Sequence, residues 1–362
     1  MKKIAFVISS LGSGGAERVV SILSNEFTKR GLEVSVVMVN NSNVYYEISE
    51  KIELVKLNCA QYDSLPLRKR FPKRIRLIKD TLIKINPDVV VSFLSEINID
   101  VCLALRGSKI PVIVSERNDP ATDPASRIKK ILRKISYRKA SGFVFQTEDA
   151  KKYFSKAIQR RSMVIFNPLS GNLPAPYDGE REKRIVAVGR LNRQKNYALL
   201  FKSFSNISSI HPEYTLDIYG EGVLLEELKS IANEMGLKEK IVFHGFCSDV
   251  HLKIFKAGMF VMSSDFEGMP NALIEAMAIG LPCISTDCPC GGPKTVIDNG
   301  KNGLLVPVND SEALVCAMEK LISNTYYANE IGRAASGIRK ELSVDMICDQ
   351  WLKFIKERIG DK

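Results

Sequence analysis

No apolar run in these 362 residues approaches the roughly 18 that cross a bilayer, so no membrane-spanning helix is expected. The opening MKKIAFVISSLG has the two lysines of a secretory leader. However, IAFVI is shorter than a leader's apolar core, and GSGGAER stands in place of a small-residue cleavage site. Histidine is scarce as well. His211, His244 and His251 are the only three, and none lies at zinc-ligand spacing from the lone C-x-C of Cys288 and Cys290. The eight cysteines are scattered, mostly inside apolar segments, which reads as reduced thiols in a cytoplasmic protein. Low-complexity tracts and short repeats are missing too. What is left is a folded chain of ordinary composition, 45% apolar and 26% charged.

Acidic residues are thin in the first half. Residues 1–168 hold 30 Lys and Arg against 16 Asp and Glu, whereas residues 169–362 hold 22 against 25, within a net charge of +11. Two stretches carry most of the excess, LRKRFPKRIRLIK (67–79) and RIKKILRKISYRK (127–139), each with seven basic residues and no acidic one. The second sets Ile128, Ile131, Leu132 and Ile135 at helical spacing, the pattern of an interfacial helix on an anionic membrane. A solvated helix that caps the domain core with those same residues fits the spacing equally. Aromatic interleaving is limited to Phe71 and Tyr137, and no nucleic-acid motif occurs, so no nucleic-acid partner is expected.

The chain is too long for one typical core, and short β-branched runs alternate with helical patterns. Candidate strands lie at 3–9, 33–39, 88–93, 111–116, 142–147 and 163–168, then at 184–189, 215–220, 240–245, 259–264, 282–286 and 303–308. The consistent solution is α/β, two tandem Rossmann-like doubly wound domains. The break falls in NPLSGNLPAPYDGEREK (167–183), giving domains 1–168 and 169–342. Within 343–362, SVDMICDQWLKFIKERI reads as a last helix that carries Trp351 back to the first domain.

Three features point to chemistry. The first is the glycine-rich SLGSGGAERVV, which follows the first strand and opens a helix, so Gly14 and Gly15 let backbone approach a ligand. A mere tight turn explains them too. A dinucleotide site is disfavoured: Glu17 stands where a third glycine would be needed, and VMVNN ends the second strand without an acidic residue for a ribose. The second feature is VGRLNRQKN (188–196), which puts Arg190 and Lys195 at the carboxyl end of a strand, where two cations suit a diphosphate. The third is DFEGMPNALIEAMAIGLPCIST (265–286). Pro270 suits the first turn of a helix and Gly280 its left-handed cap, and between them NALIEAMAI is apolar on nearly every side. Yet Glu275 sits inside that helix and Glu267 just ahead of it, and a buried carboxylate needs partners. Backbone N–H groups of Gly268, Met269, Pro270's neighbour Asn271 and Ala272 would face an anion in the same place. Together these describe a nucleoside diphosphate with a sugar beyond it.

The spacing from Glu267 to Glu275 resembles the E-x7-E motif of the retaining glycosyltransferases of family four. GRLNRQKN, GSGGAERV and GLPCIST resemble that family's diphosphate loop, glycine loop and post-signature strand, so the likeness spans nearly the whole chain. It implies the GT-B fold with an inter-domain cleft and a metal-independent reaction on a UDP-sugar, with no cofactor. Catalytic roles would fall to Glu267 on the donor sugar and to Arg190 and Lys195 on the leaving diphosphate. Glu275 would hold the ribose, Gly14 and Gly15 would approach the phosphates, and Gly220 and Phe246, in YGEG (219–222) and GFCSD (245–249), would hold the base.

One position departs from the family. Where many members carry a histidine after the fourth strand, this chain reads VSERNDP, with Arg117 and then Asn118. Arginine cannot accept a proton at neutral pH. Arg117 and Asn118 would contact phosphate or acceptor, or Arg117 would be salt-bridged to Asp119 or Glu116. Among donors the resemblance favours UDP-GalNAc, with UDP-galactose and UDP-glucose open, and among acceptors a polyprenyl-diphosphate-linked saccharide of the O-antigen type. The protein would then work peripherally on the inner face of the cytoplasmic membrane. Rival readings are a non-hydrolysing nucleotide-sugar epimerase of the same fold and a catalytically silent nucleotide-sugar-binding protein.

Overall fold

Short runs such as KIAFVI, VVVSF and AGMFVM are apolar on both sides of the pleat, which requires cover on both faces of a parallel sheet. The computed structural model describes residues 1–360 except 13, 42, 63, 170 and 172, so Ser13 of the glycine loop and Ser170 and Asn172 of the expected linker lie outside the described residues. Two compact units result: Met1–Pro168 with Ser343–Lys362, and Leu169–Leu342.

The first unit runs β1 (Lys3–Ile8), α1 (Gly15–Lys29), β2 (Glu33–Met38), β3 (Glu53–Lys56), α2 (Leu67–Ile85), β4 (Val89–Phe93) and α3 (Ser95–Ala104). It continues with β5 (Val112–Ser115), α4 (Arg127–Ser136), β6 (Gly142–Phe145), the short α5 (Glu148–Lys152) and α6 (Lys156–Gln159), and β7 (Ser162–Val164). These strands form one parallel sheet in the order β3-β2-β1-β4-β5-β6-β7. The edge strand β3 was not expected. Its sequence ELVK is short, charged at both ends and only half-buried, so it carries little of the strand pattern.

The second unit runs β8 (Glu182–Val188), α7 (Tyr197–Ile210), β9 (Thr215–Tyr219), α8 (Leu225–Glu234), β10 (Ile241–Gly245), α9 (Val250–Ile254) and β11 (Ala257–Met262). Then follow α10 (Asn271–Ala278), β12 (Cys283–Thr286), α11 (Gly292–Val296), β13 (Leu304–Val306), α12 (Ser311–Ser323), α13 (Thr325–Ala335) and α14 (Ile338–Glu341). Its six-stranded parallel sheet has the order β10-β9-β8-β11-β12-β13. Strand order reverses between β8 and β11, and ligands of open α/β sheets bind outside the carboxyl ends at such a reversal.

The last helix, α15 (Val344–Ile359), packs within the first unit. Trp351 is fully buried and stacks on Phe93 with ring centroids 5.9 Å apart, continuing a file through Phe6 and Phe27. Arg30, which caps the end of α1, pairs with Asp345 at 3.1 Å and with Asp349.

The basic segments do not behave alike. In α2, Arg74 turns inward to pair with buried Asp100, whose carboxyl is pushed up to about 6 by burial even with that partner. In α4, Ile128, Ile131 and Ile135 face outward, 71%, 61% and 47% exposed, so they do not cap the core. The inward side is polar. Arg133 is buried, donates to the carbonyls of Pro120 (2.8 Å) and Asp123 (2.6 Å), and lies over the rings of Tyr153 and Phe154. Just past the helix, the Tyr137 hydroxyl bonds Glu116. A helix anchored by its arginine and presenting its isoleucines to the outside is the reverse of an ordinary surface helix.

Candidate functional site

At the reversal of the second sheet, the loops after β8, β9 and β10 are knitted by backbone bonds: Gly189 N–H to Tyr219 O (2.9 Å), Leu191 N–H to Glu221 O (2.8 Å) and Gly220 N–H to Gly245 O (2.7 Å). Arg190 is exposed on the first of these loops, and Phe246 is 39% exposed on the third. Lys195 closes a single 3-10 turn, and Tyr197 braces the loop by donating from its buried hydroxyl to Gly189 O at 3.0 Å. Burial, reinforced by the charge of Glu267, pushes that hydroxyl's pKa up, so it stays protonated.

The loop after β11 meets this one side by side. Lys195 Nζ lies 2.5 Å from Glu267 Oε1, and Ser264 Oγ donates to the same oxygen at 2.8 Å. The segment's backbone is tied to the first loop by Asp265 N–H to Gln194 O (2.9 Å) and by Gln194 Nε2 to Phe266 O (2.9 Å). Asn196 Nδ2 reaches Asp265 Oδ1 at 2.7 Å. Among the described residues, the side-chain bonds to the Glu267 carboxylate both fall on Oε1.

From the other side, the Cys288-Pro289-Cys290 loop grips the main chain of the same residue. Glu267 N–H donates to Pro289 O at 2.6 Å, and Cys290 N–H donates to Glu267 O at 3.1 Å. Burial pushes the Cys288 thiol up to about 12, so that thiol stays neutral, and both cysteines of the C-x-C are buried and free of a disulfide. α10 then begins at Asn271, with Pro270 in the extended cap position before it. Gly268, Met269 and Pro270 are buried, Asn271 and Ala272 half-buried, and Glu275 is buried one turn into the helix. Gly280 takes the left-handed φ of +79° that ends α10. Glu267, Arg190, Lys195 and Glu275, with Gly268 to Ala272, Gly220 and Phe246, thus occupy the loops and helix start at this one edge.

The other sequence-derived residues lie in the first unit. Gly15 opens α1 and Gly14 caps it, and a Cβ on Gly14 would fall 2.1 Å from Glu17 Oε2, so that carboxylate folds directly onto the glycine. Arg117 does not form the salt bridge considered for it. Its Nη1 donates to Asn167 Oδ1 at 2.7 Å and its guanidinium lies over the rings of Phe93 (4.6 Å) and Trp351 (5.7 Å). Among the described residues its Nε and Nη2 are buried without a hydrogen-bond partner, and burial pulls its pKa down to about 9. The carboxylates are engaged elsewhere: Glu116 accepts from Ser95 Oγ (2.7 Å) and Tyr137, and Asp119 from Ala121 N–H (2.9 Å). Asn118 follows, half-buried.

Sequence reasoning missed Ser264, Gln194 and the 288–292 loop as the frame of Glu267. Ser264 could have been found, because it stands three residues before the carboxylate in a tight loop. Nothing local in Cys288 to Gly292 announces their partner. Among the described residues, no group of three or more His, Cys, Asp and Glu is placed to hold a metal ion, and no helix is long and apolar enough to cross a membrane.

Comparison with known proteins bears on the whole chain. Residues 13–170 match the model described as Glycosyltransferase Family 4, and residues 176–337 that described as Glycosyl transferases group 1. The chain is 29% identical, over 99% of each chain, to the Campylobacter jejuni GalNAc-α-(1→4)-GalNAc-α-(1→3)-diNAcBac-PP-undecaprenol α-1,4-N-acetyl-D-galactosaminyltransferase. A second C. jejuni enzyme, the N-acetylgalactosamine-N,N'-diacetylbacillosaminyl-diphospho-undecaprenol 4-α-N-acetylgalactosaminyltransferase, is 28% identical over 90% of this chain and 91% of its own. In structure, the chain resembles Anabaena HepE in complex with UDP, with a TM-score of 0.80 at 17% identity over 99% and 100% of the two chains.

Proposed function

The chain belongs to glycosyltransferase family 4, with the GT-B fold and retention of anomeric configuration, and on that premise we propose that it moves N-acetylgalactosamine from UDP-GalNAc to a polyprenyl-diphosphate-linked saccharide. The observation that carries the reading is the one-sided clamp on Glu267. A carboxylate fixed through Oε1 by Lys195 and Ser264 keeps Oε2 for the hydroxyls of a donor sugar. Arg190 and Lys195 stabilise the diphosphate as it leaves, aided by the N–H groups of Gly268, Met269, Asn271 and Ala272, and such preorganised charge is the usual main source of rate. Glu275 holds the ribose, and Gly220 with Phe246 holds the base. Lipid-linked GalNAc chemistry in both C. jejuni relatives supports this donor and acceptor.

UDP release should be measured from a panel of UDP-sugars, with and without a lipid-linked saccharide extract. Acceptor-dependent release from UDP-GalNAc is expected to exceed that from UDP-glucose by at least about tenfold, a single hydrogen-bonded discrimination. Free 2-epimerised sugar nucleotide would instead make the protein an epimerase. UDP binding without release from any sugar would make it a silent binder.

The outward isoleucines of α4 support a membrane partner for this reading, with a peripheral site on the inner face of the cytoplasmic membrane. They are flanked by exposed Arg127, Lys134 and Arg138, the arrangement that buries apolar side chains under anionic headgroups. Ile131→Asp is expected to weaken binding to phosphatidylglycerol vesicles by about tenfold or more in co-sedimentation, the worth of one buried isoleucine. Unchanged sedimentation would remove α4 from the membrane contact.

A further inference from the structure

The segment between β5 and α4 carries Arg117 and Asn118, and α4 holds it at both ends. Its near end is Glu116, a buried carboxylate that accepts from Tyr137 just past α4 and from Ser95 Oγ at 2.7 Å. Its far end winds into a tight turn on Asp119, whose carbonyl takes the N–H groups of Thr122 (3.2 Å) and Asp123 (2.9 Å). Three carbonyls of this turn go to the helix: Arg133 donates to Pro120 O and Asp123 O, and Lys130 Nζ to Ala121 O between them. Arg133 suits the task by its shape. It is buried, its two terminal nitrogens serve carbonyls three residues apart, and its guanidinium lies over Tyr153 at 5.3 Å and Phe154 at 5.1 Å. A lysine ammonium, a point charge, keeps neither the fork nor the stacking.

On its opposite side the same ten-residue helix presents Ile128, Ile131 and Ile135. A helix of that length spans about 15 Å and has no internal slack, so whatever seats its outer face also restrains its inner one. We propose that Arg133 is a positioning residue through which α4, seated on an anionic membrane, orders residues 116–124 and so places Arg117 and Asn118 for the lipid-linked acceptor. This rests on the transferase and membrane readings above. Away from the membrane, the helix and the segment it holds open together more often; once α4 is seated, both are restrained.

The test is hydrogen exchange of the full chain with phosphatidylglycerol vesicles, phosphatidylcholine vesicles or none. In the wild type, phosphatidylglycerol is expected to slow the amides of both α4 and 116–124 about tenfold. In Arg133→Lys, which keeps the charge, α4 should still be slowed and 116–124 should not, and Lys130→Met should slow the segment to an intermediate degree. Slowing of α4 alone in the wild type would overturn the coupling and leave the membrane contact standing. Equal slowing of 116–124 in the wild type and Arg133→Lys would remove Arg133 as the link. No slowing anywhere would overturn the membrane reading and this inference with it. In steady-state UDP release, Arg133→Lys should raise the half-saturating amount of lipid-linked saccharide extract about tenfold, with the Kd for UDP within about twofold. An unchanged half-saturation would overturn the placement of Arg117 and Asn118 through Arg133. A wild type without release would count against the transferase reading, and the exchange rates still decide the coupling. Circular dichroism melts of each variant separate lost contact from lost fold.

Discussion

Glu267→Gln is expected to lower kcat for sugar transfer by about a hundred- to a thousandfold while the Kd for UDP changes by less than about threefold. Glutamine is chosen because it leaves the frame standing. Its amide oxygen still accepts from Ser264, and the main-chain bonds to Pro289 and Cys290 are untouched. What disappears is the charge that Lys195 faces and that the donor hydroxyls meet. Alanine would mix two effects. Lys195 and Glu267 have side chains only 14% and 9% exposed, and removing one member of such a pair leaves the other unpaired at a cost of about 3–5 kcal/mol. The measurement is steady-state UDP release together with calorimetric UDP binding. Retention of kcat within about threefold would show that this carboxylate does not act on the sugar.

Gly292→Ala, at a residue no ligand is proposed to touch, is expected to cost about a hundredfold in kcat. A Cβ there would fall 1.5 Å from the carbonyl oxygen of Gly268 and 3.2 Å from Pro270 Cδ. Main chain cannot rotate aside as a flexible side chain does, so the segment from Glu267 to Pro270 must shift, or the 288–292 loop must. Displacement of about 1 Å at a reacting group is enough for a loss of this size. Thermal stability should fall as well, because Glu267 N–H to Pro289 O and Cys290 N–H to Glu267 O stretch together. Activity counted per folded molecule, from the calorimetric UDP stoichiometry, separates the two effects. Full activity in the variant would mean that the 288–292 loop does not position Glu267.

These two residues also mark how far the sequence could be read. Every strand of the second unit was legible, because runs such as IVAV and MFVM are apolar and closed by glycine or polar turns. Glu267 and Glu275 were legible because a carboxylate in an apolar helix demands an explanation. Gly292 was not, since the need for glycine arises from a chain segment more than twenty positions away. The short edge strand β3 was hidden by its charged ends. In α4 the period of the isoleucines was plain but its direction was not. Pattern alone sends apolar residues inward, and only the carbonyls of Pro120 and Asp123, which take Arg133, turn the helix over. Arg117 illustrates the same limit: Asp119 and Glu116 are its neighbours in sequence, yet both are engaged elsewhere and the guanidinium meets Asn167, Phe93 and Trp351.

The return of α15 to the first unit has a consequence for how the chain is made. The second unit, Leu169–Leu342, is an insertion between the body of the first and its final helix. Domains generally fold in order as they leave the ribosome, at about 5–20 residues per second. Here the first to emerge is the last to be complete, because Phe93 waits for Trp351 through the synthesis of everything between them. For roughly ten to fifty seconds, while the second unit is being made, the nascent protein carries a first unit with an open apolar face, and that interval is when a chaperone would find it.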